Sequence, residues 1–462
     1  MRISPARRCA AAIACCLLIA GLSGCRSAES ASNPKQLTVW NLDSQPDRIA
    51  AVKKINEKFT AETGITVEEV AVQENQLPSL IVSAAVSGTV PDLIAGLPLA
   101  YVRQLNQQEL LDTGAAQQVV ADLDPDTFEP SAIELTRKGS TQLAVPSDFW
   151  TQILVYRKDL FEKHGLAPPT TYAAIREAAK TLTSGDQYGI TLATDPADPF
   201  TQQTFESLAL GNDCQMVDQA GAVRLDSPNC KEAFSLYAQL AQQNSPQGTQ
   251  TVDSTRATYF AGQAGMIIWS TFLLDELGGL RDDARPTCKE CQEDPEWLAK
   301  NSGVVTAVQG PDGSGPAGYG DIPSWGIMKD ASPRTIDYVN YMMSDGYEAA
   351  LAIAPEGKYP ARQGTPDDPE KFLTAWAGMP AGVNTEKSLA EIYGQDTMDQ
   401  ITQATSRLDR WAIPQGQGDL LGPVVAELAI PRVLSALAIG EDPNQAAEDA
   451  TTAVKDIEVS LR

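Results

Sequence analysis

A single histidine in 462 residues is the sharpest shortage in this sequence, and 35 Lys and Arg against 60 Asp and Glu is the next. Zinc hydrolases that need several imidazole ligands cannot be assembled from His164 alone. A Ser-His-Asp triad would have to use that residue. It stands in Lys163-His164-Gly165, where the glycine reads as a helix stop, so His164 is expected at a helix end on the surface. The formal charge of −25 excludes nucleic acid as a partner, because polyanions need a basic face. The same imbalance removes electrostatic adhesion to anionic lipid. Beyond the N-terminus no run is long and apolar enough to span a bilayer.

Nucleotide and metal motifs are also missing. Gly313-Ser-Gly-Pro-Ala-Gly318 matches a dinucleotide fingerprint by letter, but it carries a proline, follows no expected strand and opens no helix. Asp122-Leu-Asp-Pro-Asp126 begins like a calcium loop, yet its sixth position is Thr127 and its twelfth is Ile133. No P-loop, G-x-S-x-G or H-E-x-x-H occurs. Neither a metal nor a cofactor is expected.

What is present reads as an exported globular protein. A hydrophobic fraction of 43% with 21% charged residues supports a folded core, and the length suggests two or three domains. Arg2, Arg7 and Arg8 precede an apolar run over residues 9–20, the pattern of a secretory signal. Leu22-Ser23-Gly24-Cys25 follows and resembles the bacterial lipobox, with plain secretion as the alternative. Residues 1–24 are therefore expected to be a signal peptide and 25–36 a tether lipidated at Cys25, the sole hold on the membrane. Removing 1–24 takes away three arginines and no acid, leaving 32 basic residues against 60 acids, a balance of −28.

Four cysteines then remain beside Cys25, as the local pairs Cys214 with Cys230 and Cys288 with Cys291. An even count in an exported chain reads as disulfides. A Cys214–Cys230 link would close a loop of about 15 residues, worth roughly 3 kcal/mol in the chain-entropy model. Zinc is the weaker reading, since no second C-x-x-C exists. A redox role for Cys288 and Cys291 is opposed by neighbouring acids, which raise a thiol pKa.

Periodicity then organises the start of the mature chain. Residues 37–40 and 65–72 read as strands, 47–63 and 77–87 as helices, and 92–95 as a third strand. Strands recurring with helices between them imply a parallel, doubly wound sheet. Ligands bind beyond the carboxyl ends of such strands. There the sequence delivers Asn41-Leu-Asp43, Gln73-Glu-Asn75 and Gly96-Leu-Pro98, with Trp40 alongside, a set suited to hydroxyl groups. Further on, residues 144–156 read as a buried extended segment and 172–182 as a helix capped by Thr170. Residues 285–322 read as loops, and 330–344 and 444–459 as helices.

The block Leu143-Ala-Val-Pro146-Ser-Asp-Phe-Trp150-Thr-Gln-Ile-Leu-Val-Tyr156, continuing to Gly165, Pro168 and Tyr172, resembles the extracellular solute-binding proteins (family 1) of sugar-importing ABC transporters, the maltose-binding-protein type. Val90-Pro-Asp-Leu, Gly262-Gln-Ala-Gly-Met-Ile-Ile-Trp269, Trp325-Gly-Ile-Met-Lys-Asp and Gly357-Lys-Tyr-Pro-Ala-Arg362 follow in the family's order. Tyr172 departs from the family, which commonly has Trp there, and 283–296 looks like an insertion.

The resemblance implies two α/β lobes joined by hinge crossings, with a ligand cleft between them. It places 37–145 and 315–354 in the first lobe and 146–314 and 355–462 in the second. Closure on a sugar would then be a population shift that a permease reads. Sugars need aromatic platforms and a polar rim. By the resemblance those fall at Asp148 and Trp150, Phe200 and Gln202, Trp269 and Phe272, Tyr319, Asp321 and Trp325, and Tyr359 and Arg362. Trp40, Asn41, Asp43 and Asn75 complete the candidate set. The expected protein is a monomeric, non-catalytic, extracytoplasmic lipoprotein that hands a mono- or oligosaccharide to permease subunits. A polyol or osmolyte binder is the nearer alternative. A glycoside hydrolase with two carboxyl groups roughly 5–10 Å apart is the distant one.

Overall fold

The computed structural model describes residues 35–405 and 408–461. The signal peptide, Cys25 and the tether up to residue 34 lie outside the described residues, so those expectations stand as they were. Strand β1 (Gln36–Asn41) leads to helix α1 (Pro46–Thr63), which opens on a proline and ends at Gly64 with φ 72°. Proline lacks only an N–H that a first turn leaves unpaired anyway, and glycine takes the left-handed cap without steric cost. Strand β2 (Thr66–Ala71), helix α2 (Leu77–Ser87), strand β3 (Leu93–Leu97) and helix α3 (Leu99–Gln107) continue the alternation. The helix of 77–87 has the bounds its apolar spacing and Gly88 set.

The first sheet runs in the order β2, β1, β3, Ser324–Ile327, Val145–Pro146. Its first three strands are parallel, as expected. Ser324–Ile327 is antiparallel to both of its neighbours, so the sheet is mixed and not wholly parallel. The reason is topological. A parallel neighbour requires a crossover within the lobe, whereas this strand arrives from the second sheet and is free to run the other way. Phe59 of α1 lies beneath this sheet with its ring centroid 5.1 Å from both Tyr338 and Tyr341 of helix Arg334–Met342.

The second sheet is built on one ten-residue strand, Asp148–Arg157, buried along almost its whole length. Tyr359–Pro360, Met266–Ser270, Ser302–Val305 and Gly318–Asp321 all pair with it in antiparallel fashion. Leu408–Asp409 adds a parallel partner to Gly318–Asp321. Phe205 of helix Pro199–Ala209 anchors the core beside it, with ring centroids of Phe234, Tyr237 and Trp411 at 4.6, 5.5 and 6.0 Å.

Two of the strands fall inside 285–322, which the sequence presented as loops. Their glycines are the cause of the misreading. A Cβ at Gly303 would sit 2.4 Å from the Tyr156 ring, and one at Gly320 would sit 2.5 Å from the Trp150 carbonyl oxygen. These glycines permit close strand approach and do not mark turns. The helix Tyr172–Leu182 is capped by Thr171, not Thr170: Thr171 is the extended residue just before the first turn, and its hydroxyl accepts the Ala174 N–H at 3.2 Å. The helix expected over 330–344 begins only at Arg334, since Asp330 adopts φ 65°. Both cysteine pairs are disulfides, Cys214–Cys230 and Cys288–Cys291.

Three crossings join the sheets, and they meet at Ser147. The chain leaves the first sheet at Pro146 and enters the second at Asp148. It returns through Ile322 and Pro323, and the Pro323 carbonyl accepts the Ser147 N–H at 2.9 Å. The Ser147 carbonyl in turn accepts the Tyr347 hydroxyl and the Ala361 N–H of the third crossing. The sequence placed the first two boundaries at 145/146 and 314/315; the sheets change at 147 and at 322–323.

Candidate functional site

An interlobe cavity of about 340 Å³ opens beside these crossings. One wall comes from the turn between β2 and α2, where Gln73 and Glu74 stand at the carboxyl end of a strand. The other comes from the second sheet and its flanking helix. Trp150 arrives on Asp148–Arg157, Trp269 and Ser270 on Met266–Ser270, and Phe272 just beyond that strand. Asp198, Phe200 and Gln203 come from the start of Pro199–Ala209, with Pro199 and Val252 completing the lining. Asp198 caps that helix by accepting the Phe200 N–H at 2.9 Å. The rings are braced. Phe200 and Trp269 stand 5.8 Å apart at 60°, Trp150 lies 5.8 Å from Tyr319, and the Arg48 guanidinium covers Phe272 at 4.7 Å.

Four of the candidate residues from the sequence thus line one cavity: Trp150, Phe200, Trp269 and Phe272. The others sit elsewhere. Trp40 is buried in the core. Asn41 donates to Glu69 at 2.7 Å and accepts the Asp43 N–H. Asp43 is bound by Lys358 at 2.7 Å and Arg48 at 3.0 Å. Asp148 is buried 4.0 Å from the same Lys358 and accepts the Ser147 hydroxyl. Tyr319 is buried beneath Arg410, which also pairs with Asp321 at 2.7 Å. Trp325 donates to the Met343 sulfur within the core. Tyr359 packs on Trp376 at 4.5 Å. Arg362 spends its donors on Thr127 and on the carbonyls of Met343 and Leu123. Gln202 turns towards Glu206, one helical turn on. The side chain of Asn75 lies outside the described residues.

The sequence reading missed Asp198 and Gln203. Helical spacing was the available signal for the last: with Phe200 in the cleft, the i+3 position is Gln203, not Gln202. Glu74 belongs to the triplet the sequence had already placed at a strand end. It is open to solvent through the cleft mouth but ringed by protein, and burial with repulsion from Asp321 and Asp198 pushes its carboxyl up to about 7 against the pull of Arg410. Asp198 is also raised, by burial first.

A charged network borders the cavity. Burial acts to raise the Asp43 carboxyl, but Lys358 and Arg48 outweigh it and hold it at about 2. A carboxyl depressed in the folded state stabilises above its unfolded pKa and loses that contribution as pH falls through its folded one. The displacement is worth about 2 kcal/mol, present above about pH 4 and lost towards pH 2. Asp43→Asn is therefore expected to cost about 2 kcal/mol at pH 7 in urea unfolding, with variant and parent converging near pH 2. A difference independent of pH would show that the charge of Asp43 contributes nothing. Arg281 extends the network from Asp47 at 3.2 Å to Asp283 at 3.1 Å and Asp275 at 3.8 Å.

Comparison with known proteins agrees with this architecture. The receptor GacH of Streptomyces glaucescens GLA.O, solved unliganded and with acarbose, superimposes with a TM-score of 0.68 at 17% identity, covering 91% of this chain and 98% of that one. Maltose-bound T. maritima MalE3 gives 0.67 at 18% identity, covering 91% and 99%. A solute-binding protein from Thermotoga lettingae TMO with α-D-tagatose gives 0.70 at 17%, covering 92% and 99%. At these identities the likeness is one of fold. In sequence, the putative ABC transporter periplasmic-binding protein YcjN of Escherichia coli (strain K12) is 28% identical over 268 residues, 57% of this chain and 60% of that protein's length. The pattern of the bacterial extracellular solute-binding protein family matches residues 43–349, and this chain belongs to that family.

Proposed function

We propose that this protein is the substrate-binding component of an ABC importer, capturing a mono- or oligosaccharide between its lobes and presenting it to permease subunits. One observation carries the reading: aromatic rings from one lobe and polar side chains from both converge on one cavity of a size that suits a small sugar. Apolar sugar faces stack on Trp150, Phe200, Trp269 and Phe272, while Gln73, Glu74, Asp198, Gln203 and Ser270 meet hydroxyl groups. Such a ligand touches both lobes only when they close, so binding shifts the population towards the closed form. Maltose and laminaribiose are bound by proteins of this fold, as are ribitol and mannitol. The polyols keep an acyclic ligand within the reading. Cys25 carries the lipid that holds the protein, as a monomer without catalytic activity, at the outer face of the membrane.

The test is a thermal-shift screen against mono-, di- and oligosaccharides and polyols. A ligand at about 100 times its Kd stabilises the folded form by roughly 2.7 kcal/mol. A flat response across the whole panel would overturn the proposal. Because Glu74, with its raised pKa, and Asp198 both face the cavity, each hit is also incubated and assayed for cleavage products. Turnover would move the protein to the glycoside hydrolase reading.

A further inference from the structure

Resting on the saccharide reading, we propose that the solute this cleft takes carries a protonated nitrogen, as an amino sugar or a polyhydroxylated amine does. The observation is a local charge imbalance. Glu74 from one lobe and Asp198 from the other face the same cavity, and none of the residues lining it is Lys, Arg or His. Among the described residues, no donor reaches the Glu74 carboxylate, and Asp198 accepts one hydrogen bond, from the N–H of Phe200.

The guanidiniums nearby are already committed. Arg410 is held by Asp321 at 2.7 Å and lies 3.6 Å from Glu206, so two carboxylates share its charge. Arg48 is held by Asp43 at 3.0 Å, and Arg256 by Asp253 at 2.8 Å and Glu276 at 2.9 Å. Glu74 and Asp198 are the surplus. Closing two lobes over two unneutralised carboxylates concentrates like charge in a site that excludes water, where repulsion is stronger than in bulk. Neutral hydroxyl groups can donate to such carboxylates but cannot cancel their charge. A cationic nitrogen does both.

The walls suit the same group, since aromatic faces attract cations. Arg48 already lies over Phe272 and Arg256 lies 5.9 Å from Trp269, which leaves Trp150 and Phe200 to the ligand. The groups that set the charge on Glu74 are Asp198, Asp321 and Arg410, and it acts in turn on the buried hydroxyls of Tyr101 and Tyr319. Because its carboxyl is pushed up to about 7, both acids of the cleft are ionised only on the alkaline side of neutrality. Attraction for a cation must grow as pH rises through that value.

Calorimetric titration of the full chain in EDTA tests this with matched sets. Each set has a neutral form, a free amine that stays charged at about pH 8.5, and its N-acetyl derivative, built on glucose, galactose, mannose, a disaccharide and sorbitol. At about pH 8.5 the amine of the best-binding set should bind at least about tenfold tighter than its neutral and acetylated partners. That preference should fall below about threefold at pH 5.5, where Glu74 is protonated. It should also be lost at pH 8.5 in Glu74→Gln, with Asp198→Asn as the second variant and thermal unfolding as the check on folding. Neutral forms that bind as tightly as the amines, or a preference that persists in both variants, overturn the inference and leave the saccharide reading standing. If no sugar or polyol of any form binds, both readings fall.

Discussion

Arg410→Leu is expected to destabilise the protein by about 3–5 kcal/mol, the largest single-residue effect this structure points to. Arg410 is 1% exposed and lies against the Tyr319 ring at 4.6 Å. It donates to Asp321 at 2.7 Å and to the Gly320 carbonyl at 3.3 Å, and its Nε is 3.6 Å from Glu206. Asp321 also receives the first N–H of α3, and Glu206 receives the Trp411 N–H. One cation therefore fixes three elements: helix α3, a strand of the second sheet and the helix Pro199–Ala209. Leucine would fill part of the volume but leave two buried carboxylates without a counterion. Urea unfolding at pH 7 measures the loss. A loss under about 1 kcal/mol would mean that the pairings balance their own desolvation and hold nothing together.

The second large effect concerns binding. Trp150→Ala is expected to weaken sugar affinity by about 2–4 kcal/mol, on the order of 100-fold in Kd, and so to erase the thermal shift. Trp150 is half-buried, one side meeting Tyr319 and the other open to the cavity. Removing it should therefore cost the fold far less than removing a fully buried ring. Calorimetry against the best sugar, with unfolding run alongside, separates the two costs. An undiminished thermal shift in a folded variant would remove Trp150 from the binding surface.

Much of the architecture could be read from residue order, and the reasons are local. α1 and α2 are bracketed by Pro46, Gly64 and Gly88, and their apolar residues keep helical spacing. Short glycine-bearing strands such as Gly318–Asp321 were illegible, because what identifies them is a neighbouring backbone lying far away in sequence. The site divided along the same line. Aromatic residues on strand ends, Trp150 and Trp269, could be found because the family resemblance carries their place on the two strands. Polar residues could not. Asp43, Asp148 and Asp321 had the right chemistry and position, but Lys358 and Arg410 engage them. Those partners lie in segments up to several hundred residues distant, and no local pattern announces them. Glu74 is available because no such partner reaches it.

Gly357 gives Phe272 a mechanical role. A Cβ there would meet that ring at 2.1 Å, so the ring rests directly on main chain, in the segment that carries the third crossing from Tyr347 to Tyr359. The same ring forms part of the cavity wall. Under the proposed reading, a solute held against that ring bears on main chain that links the two sheets, so binding wall and linkage share one surface.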